Sequence, residues 1–412
     1  MMNCHKEPEF QIRDIPSLRG YIAIVTGGNS GIGYETTLQL ALKGARVYIA
    51  SRSSERVNKA ISEMRQNSPD LDLHFLKLDL QDLQSIKNTA ADFMSRENRL
   101  DLLINNAGIM ASPWQLTKDG FEVQWQTCFL SHHALTMSLM PLLVAAAQTS
   151  GRMDRVRVVN VASDMAFRMG PEAINYQDPN LTDVTGQLAP WRRYGHCKQA
   201  SIIAAKAITE RYQPLGVTAY SLHPGLIKSG LQSHSNNIFG AMTRVAMKVG
   251  PTSTPLEGSM NSLFCATTSQ AYEHAGRYYV PVQKLDDKAN KWLDDPQAVG
   301  RLWDLASKQL KEHGLLAFAG MALALPTLQM IYIDSWTGAN KLDAGIDATQ
   351  TSASVTSKTL GSHNDWRPSQ AIGDDERTPP DIGQRQMITS RPRPWPGDEK
   401  ARNAARYLGG SG

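Results

Sequence analysis

Tyr194 and Lys198 stand four residues apart in Tyr194-Gly-His-Cys-Lys198. On a helix that spacing puts them one turn from each other on a single face. A phenol with a pKa of ~10 transfers protons poorly at neutral pH, and a nearby ammonium would stabilise the phenolate and bring that value down. Ser163, at the end of a valine-rich run, can hydrogen-bond a reacting oxygen. Taken alone, the pair suits an ordinary surface helix better than a catalytic one. A second constellation is Thr26-Gly27-Gly28-Asn29-Ser30-Gly31-Ile32-Gly33. Gly27 lets the chain turn sharply, Gly31 lets a pyrophosphate approach the backbone, and Gly33 lets a helix pack close to the preceding strand. Ser30, Gly31, Ile32 and Gly33 would open a helix whose free N–H groups and positive dipole end favour phosphate. The alternative is a glycine-rich turn with no ligand.

The elements around these residues are regular. Tyr21–Val25 is a short apolar run that predicts a buried strand, and Tyr34–Leu42 predicts a helix with one apolar face. Further strands are expected at Ala45–Ala50, Leu71–Leu78, Leu100–Ile104, Arg155–Val161 and Arg277–Val282, the last of them closing the sheet. Helices are expected near Asn58–Gln66, Leu83–Met94, Asp119–Ala147, Leu256–Thr268 and Ala298–His313, and from Tyr194, at the opening of its helix, to Tyr212. A loop rich in Pro, Asn, Asp and Gly runs from about Asp164 to Pro190. Strands alternating with helices at this rhythm predict a Rossmann-type α/β fold, a doubly wound parallel sheet. Ligands of such sheets lie beyond the strands' carboxyl ends, where every motif named so far falls. At the second strand's end stands Arg52, with no acid, which favours pairing with the 2′-phosphate of NADP(H) over a ribose hydroxyl. Asp79 can accept from an adenine amino group. The small residues of Asn105-Asn106-Ala107-Gly108 permit close approach of a ribose.

The chain has 412 residues, 41% hydrophobic and 20% charged, with a net charge of +4. That is the composition of an ordinary soluble protein, and too little positive charge to suggest nucleic acid. The four cysteines, Cys4, Cys128, Cys197 and Cys265, include no CxxC pair, so neither a metal site nor a disulfide framework is indicated. A reducing, cytoplasmic location is the default.

Together, Thr26-Gly27…Gly31-x-Gly33, Asp79, Asn105-Asn106-Ala107-Gly108, Ser163, Tyr194…Lys198 and His223-Pro224-Gly225 resemble the short-chain dehydrogenase/reductases over about Leu18 to Gly314. Asp119-Gly-Phe-Glu-Val-Gln-Trp125 and Tyr278-Tyr-Val-Pro-Val282 look most like the retinol-dehydrogenase-like branch, which includes many fungal tailoring enzymes of secondary metabolism. The resemblance implies hydride transfer between a nicotinamide and a carbonyl or alcohol of an apolar small molecule. It implies Tyr194 as acid or base, Lys198 as its tuner and a ligand of the nicotinamide ribose, and Ser163 as the group that orients the carbonyl. Gly27, Ser30, Gly31, Ile32, Gly33, Arg52, Asp79, Asn106, Ala107 and Gly108 would hold the cofactor with Tyr194 and Lys198, and Ile227 and Ser229 would meet the nicotinamide amide. The family's proton-relay asparagine falls at Cys128, and a thiol cannot replace an amide. Three readings are open: a slower or rerouted relay, a cofactor-binding protein that senses or scaffolds with little turnover, or a reactive thiol. Cys128 and His132 also share a metal-like spacing, with no third ligand apparent.

Residues 1–17 are expected to form an N-terminal arm and 18–314 the catalytic domain. In the resembling family the stretch from Gly230 to about Ser253 is a substrate lid. Here it carries Phe239, Met242, Val245 and Met247, which could bury an apolar substrate or pack on the domain itself. Residues 315–333 carry no charge and would serve as a membrane anchor, an interfacial segment or a helix packed on the domain. Residues 334–412, rich in Ser, Thr, Gly and Pro, read as a disordered tail. A homo-oligomer is compatible with the resemblance.

Overall fold

Residues 10–227 and 253–315 are described by a computed structural model. Ser229, the expected lid residues Phe239 to Met247, the tail, all but Leu315 of the apolar stretch and most of the expected arm lie outside the described residues. The apolar runs become strands Ile22–Thr26 (β1), Arg46–Ser51 (β2), Leu73–Lys77 (β3), Leu102–Asn105 (β4), Val156–Val161 (β5), Val217–Leu222 (β6) and Tyr278–Val280 (β7), all parallel. A short eighth strand, Lys284–Leu285 (β8), runs antiparallel on the edge, so the strand at Tyr278 is not the last. The order is β3-β2-β1-β4-β5-β6-β7-β8. The chain's direction of winding reverses between β1 and β4, and a crevice opens at that switch point.

Side chains alternate from one face of each strand to the other, and both faces are buried. Ile24, Leu103, Val156 and Val158 enter one core with the helices Leu83–Arg96, Val123–Ser150, Ala189–Tyr212 and Pro296–Glu312. Ala23, Val25, Leu102, Ile104, Val159 and Val161 enter the other, with the helices Gly31–Leu42, Ser54–Asn67 and Pro255–Thr267. In chain order the helices are α1 (Gly31–Leu42), α2 (Ser54–Asn67), α3 (Leu83–Arg96), α4 (Val123–Ser150), α5 (Met165–Arg168), α6 (Ala189–Tyr212), α7 (Pro255–Thr267), α8 (Ser269–Tyr272), α9 (Asn290–Leu293) and α10 (Pro296–Glu312).

Two helices depart from expectation in ways that shape the site. α4 starts at Val123 rather than Asp119, because Gly120 turns with φ +82° and the Glu122 carboxylate then caps the amides of Gln124 and Trp125. Its second turn, Gln126–Leu130, widens into a π turn. α4 is long and apolar enough to cross a membrane, yet 89% of its most apolar window is buried inside the domain. A helix packed on all sides is apolar all round for that reason. α6 begins at Ala189, earlier than Tyr194, with Pro190 in its first turn where a missing N–H costs nothing. Tyr194 therefore sits inside the helix, 4% exposed, instead of opening it. The expected loop before it also contains α5.

Candidate active site

The glycine turn follows β1 directly. Gly27 takes φ +68° and Gly31 φ +57°, both left-handed. A Cβ at Gly33 would lie 2.5 Å from Asn106 Nδ2 and closer still to the Gly27 carbonyl oxygen, so α1 packs where only a hydrogen fits. A Cβ at Gly31 would meet nothing within 4 Å. The two glycines thus do different things: Gly33 closes a protein contact, and Gly31 borders open space at the start of α1. Ser30 precedes α1 with its side chain not spent on capping, which leaves the first-turn donors turned toward that space. These features suit a pyrophosphate.

The crevice wall is tied together by Thr26. Its hydroxyl accepts from the N–H groups of Asn106 and Ala107, both at 2.9 Å, and Asn106 Nδ2 donates to the Thr26 carbonyl at 2.8 Å. This anchors the turn after β4 against β1. Asn106, Ala107 and Gly108 are partly exposed along the crevice. Ile227 comes to the same place from beyond β6: a Cβ on Gly258 of α7 would touch both Ile227 and Ile32. Arg52 is exposed just past β2 and makes no ion pair among the described residues. Asp79 lies beyond β3, its carboxylate accepting from the Gln81 N–H at 3.0 Å.

Ser163, Tyr194 and Lys198 converge. The Lys198 Nζ donates to the Val161 carbonyl at 2.7 Å and lies 5.7 Å from the centre of the Tyr194 ring. Ser163, just past the end of β5, acts on the Tyr194 phenol, and its hydroxyl accepts from the Met165 N–H at 3.2 Å. The phenol is pushed well above its ordinary value. Burial is the chief cause, and Ser163 opposes it. In this arrangement burial prevails, and the lowering expected from Lys198 is not the net result.

Cys128 lies in the π turn of α4, 3% exposed. Its sulfur accepts from the Ile109 N–H at 3.5 Å and donates to the Ile109 carbonyl at 3.3 Å. A Cβ on Gly108 would fall 3.5 Å from this sulfur and 3.8 Å from Lys198 Nζ, so thiol and ammonium flank the same glycine. The neighbouring Cys197, with Lys198 and the Ile109 N–H, draws the Cys128 thiol down against burial, while Cys197, whose thiol donates to the Tyr194 carbonyl at 3.1 Å, is pushed well up by burial. The Cys128 carbonyl accepts from Ser201 Oγ at 3.1 Å, and His132 Nδ1 lies 3.4 Å from it. His132 Nε2 meets Thr26 Oγ1 at 3.0 Å. Among the described residues no group of three His, Cys, Asp or Glu side chains is placed to hold a metal.

The fold thus gathers Gly27, Ser30, Gly31, Ile32, Gly33, Asn106, Ala107, Gly108, Ser163, Tyr194, Lys198 and Ile227 around one crevice, with Arg52 and Asp79 at neighbouring strand ends. Sequence reasoning assigned no role to the Thr26 hydroxyl or Glu122 and weighed His132 only for its metal-like spacing from Cys128. Each had a signal: a hydroxyl ending a buried strand, and polar residues in or before an apolar helix.

The short chain dehydrogenase family pattern matches residues 21–177. The short-chain dehydrogenase/reductase drtF of Aspergillus calidoustus is 38% identical over 313 residues, covering 73% of this chain and 97% of that protein. Human retinol dehydrogenase 12 is 32% identical over 305 residues, covering 71% and 87%. The crystal structure of an uncharacterised protein from Mycobacterium paratuberculosis superposes with a TM-score of 0.55 at 28% identity, covering 74% of this chain and 98% of that one.

Proposed function

The chain belongs to the short-chain dehydrogenase/reductase family, an oxidoreductase family, and from that premise we propose that it is an NADP(H)-dependent enzyme interconverting a carbonyl and a secondary alcohol on an apolar small molecule. The observation that carries this reading is the convergence of Ser163, Tyr194 and Lys198 beside an open glycine cradle at the β1/β4 switch point. Gly31 and the first turn of α1 would hold the pyrophosphate, and Arg52 the 2′-phosphate. When bound, the nicotinamide supplies or takes up a hydride. Ser163 then donates to the substrate oxygen, and the Tyr194 hydroxyl gives that oxygen its proton during reduction. A phenol kept protonated by burial is suited to the donor role when a carbonyl is reduced. Lys198, fixed on the Val161 carbonyl, holds positive charge behind the site. The name of retinol dehydrogenase 12 supports an apolar alcohol or its carbonyl as substrate class, and the resemblance to fungal tailoring enzymes supports a role in secondary metabolism.

Titration of the purified protein with NADPH and with NADH, followed by a carbonyl screen with the tighter cofactor, tests the reading. Tyr194→Phe should lower turnover of a reacting carbonyl by about 10²- to 10⁴-fold; unchanged turnover would sink it. Cys128 motivates a second reading, in which the protein binds cofactor as a sensor or scaffold with little turnover. Its sulfur is committed to Ile109 and offers no amide. A large gain in rate from Cys128→Asn would mark the native relay as compromised, and an unchanged or lower rate would favour a relay that runs without the amide.

A further inference from the structure

The Thr26 hydroxyl has one proton to give and two lone pairs to receive with. The lone pairs are taken by the N–H groups of Asn106 and Ala107, each at 2.9 Å. Its proton has two places to go, His132 Nε2 at 3.0 Å and the Ile104 carbonyl at 3.4 Å. The Asn106 N–H is shared between the hydroxyl and the Ile104 carbonyl, which lies 3.0 Å from it. The nearer partner for the hydroxyl proton is the imidazole.

We propose that His132 is a positioning residue for the cofactor cradle, held as the tautomer with hydrogen on Nδ1, so that Nε2 takes the Thr26 proton and fixes that hydroxyl's lone pairs on the turn after β4. The Nδ1 hydrogen then faces the Cys128 carbonyl at 3.4 Å. A continuous line of donors and acceptors results, from the π turn of α4 through the imidazole and Thr26 to Asn106 and Ala107. It joins the helix that carries Cys128 to the strand that carries the glycine turn. A doubly protonated ring would present a third donor to an oxygen with two lone pairs, and the line would break. The ring's surroundings oppose that state: burial and the Lys198 charge pull the imidazole down to about 3, against the Cys128 carbonyl. This inference rests on the cofactor reading above for its consequence, though not for its geometry.

The test uses the full chain with ¹⁵N-labelled histidine. In the wild type, His132 should show an unprotonated Nε2 and a protonated Nδ1 near neutral pH, and a protonated Nε2 overturns the proposal. His132→Phe keeps a flat ring and removes the acceptor. Its NADPH dissociation constant should rise about three- to tenfold, as for loss of one neutral hydrogen bond, with faster exchange of the Ala107 amide. His132→Gln, which restores an acceptor oxygen, should recover most of the affinity. Phenylalanine with unchanged affinity and exchange, or glutamine no better than phenylalanine, overturns the proposal. If His132→Phe does not fold, the ring tautomer and the glutamine variant still decide. A wild type that binds no NADPH would defeat the cofactor reading, while tautomer and amide exchange would continue to judge His132 separately.

Discussion

Glu122→Gln should stabilise the protein at neutral pH. Glu122 is 1% exposed and caps α4 through one oxygen, which accepts from the Gln124 N–H at 2.9 Å and the Trp125 N–H at 2.8 Å. The cation that acts on it, Arg193, gives its guanidinium to the carbonyls of Leu181 and Val184 instead. Burial therefore prevails and raises the carboxyl from 4.5 to about 7. Below pH 4.5 folded and unfolded chains both hold the proton, and this group's share of stability is fully present. As pH rises toward 7 the unfolded chain releases the proton while the folded chain retains it, so stability falls. Above that, the folded state carries a buried charge costing on the order of 3 kcal/mol. Glutamine keeps an oxygen for both amides and never ionises. Urea unfolding of both proteins from about pH 4.5 to about pH 8 reads the difference. The two should be close in acid, and the variant should be more stable by on the order of 2–3 kcal/mol at the alkaline end. A gap that does not change with pH would refute the reasoning.

Gly33→Ala should lower the melting temperature, through overpacking of about 1–3 kcal/mol against the Gly27 carbonyl and Asn106. Gly31→Ala has room for its methyl and pays about 1–2 kcal/mol for a left-handed backbone, so its larger effect should appear in an NADPH titration. Arg52→Ala should weaken NADPH by about 10- to 100-fold while leaving NADH nearly unchanged, since only the 2′-phosphate pair is lost. Asp101→Ala removes the buried partner of Arg155 (2.5 Å) and of the Ile22 N–H (2.8 Å) at the amino edge of the sheet. It should cost about 3 kcal/mol in unfolding measurements and leave cofactor affinity intact, because the crevice lies at the opposite edge.

Much of the fold was legible because β1 to β6 are short apolar runs separated by turns, and period alone identifies them. The crevice followed from topology: once the strands alternate with helices, their carboxyl ends must meet. What escaped has a common cause. The start of α4 depends on a carboxylate cap and a left-handed glycine, local chemistry that the apolar pattern does not encode. The start of α6 moved because Pro190 is acceptable in a first turn, whereas the composition around it reads as loop. The direction of the Tyr194 shift was misjudged because four-residue spacing gives proximity to Lys198 but says nothing of burial by the rest of the domain. His132 was visible as a neighbour of Cys128, and its link to Thr26 exists only after α4 has docked on the sheet.

The contacts that close the crevice join distant parts of the chain. Thr26 meets Ala107 81 residues later and His132 106 residues later. A chain being synthesised can pair β1 with β2 and β2 with β3 as they emerge. The other edge of β1 must wait for β4, and the imidazole line must wait for α4. Through that interval the growing polypeptide carries an unpaired apolar strand edge, the kind of surface that invites association with other chains. The nucleotide cannot assist at that stage, since its floor is made before its wall. Yield in a cell should therefore respond more to factors that shield nascent chains than to the supply of cofactor.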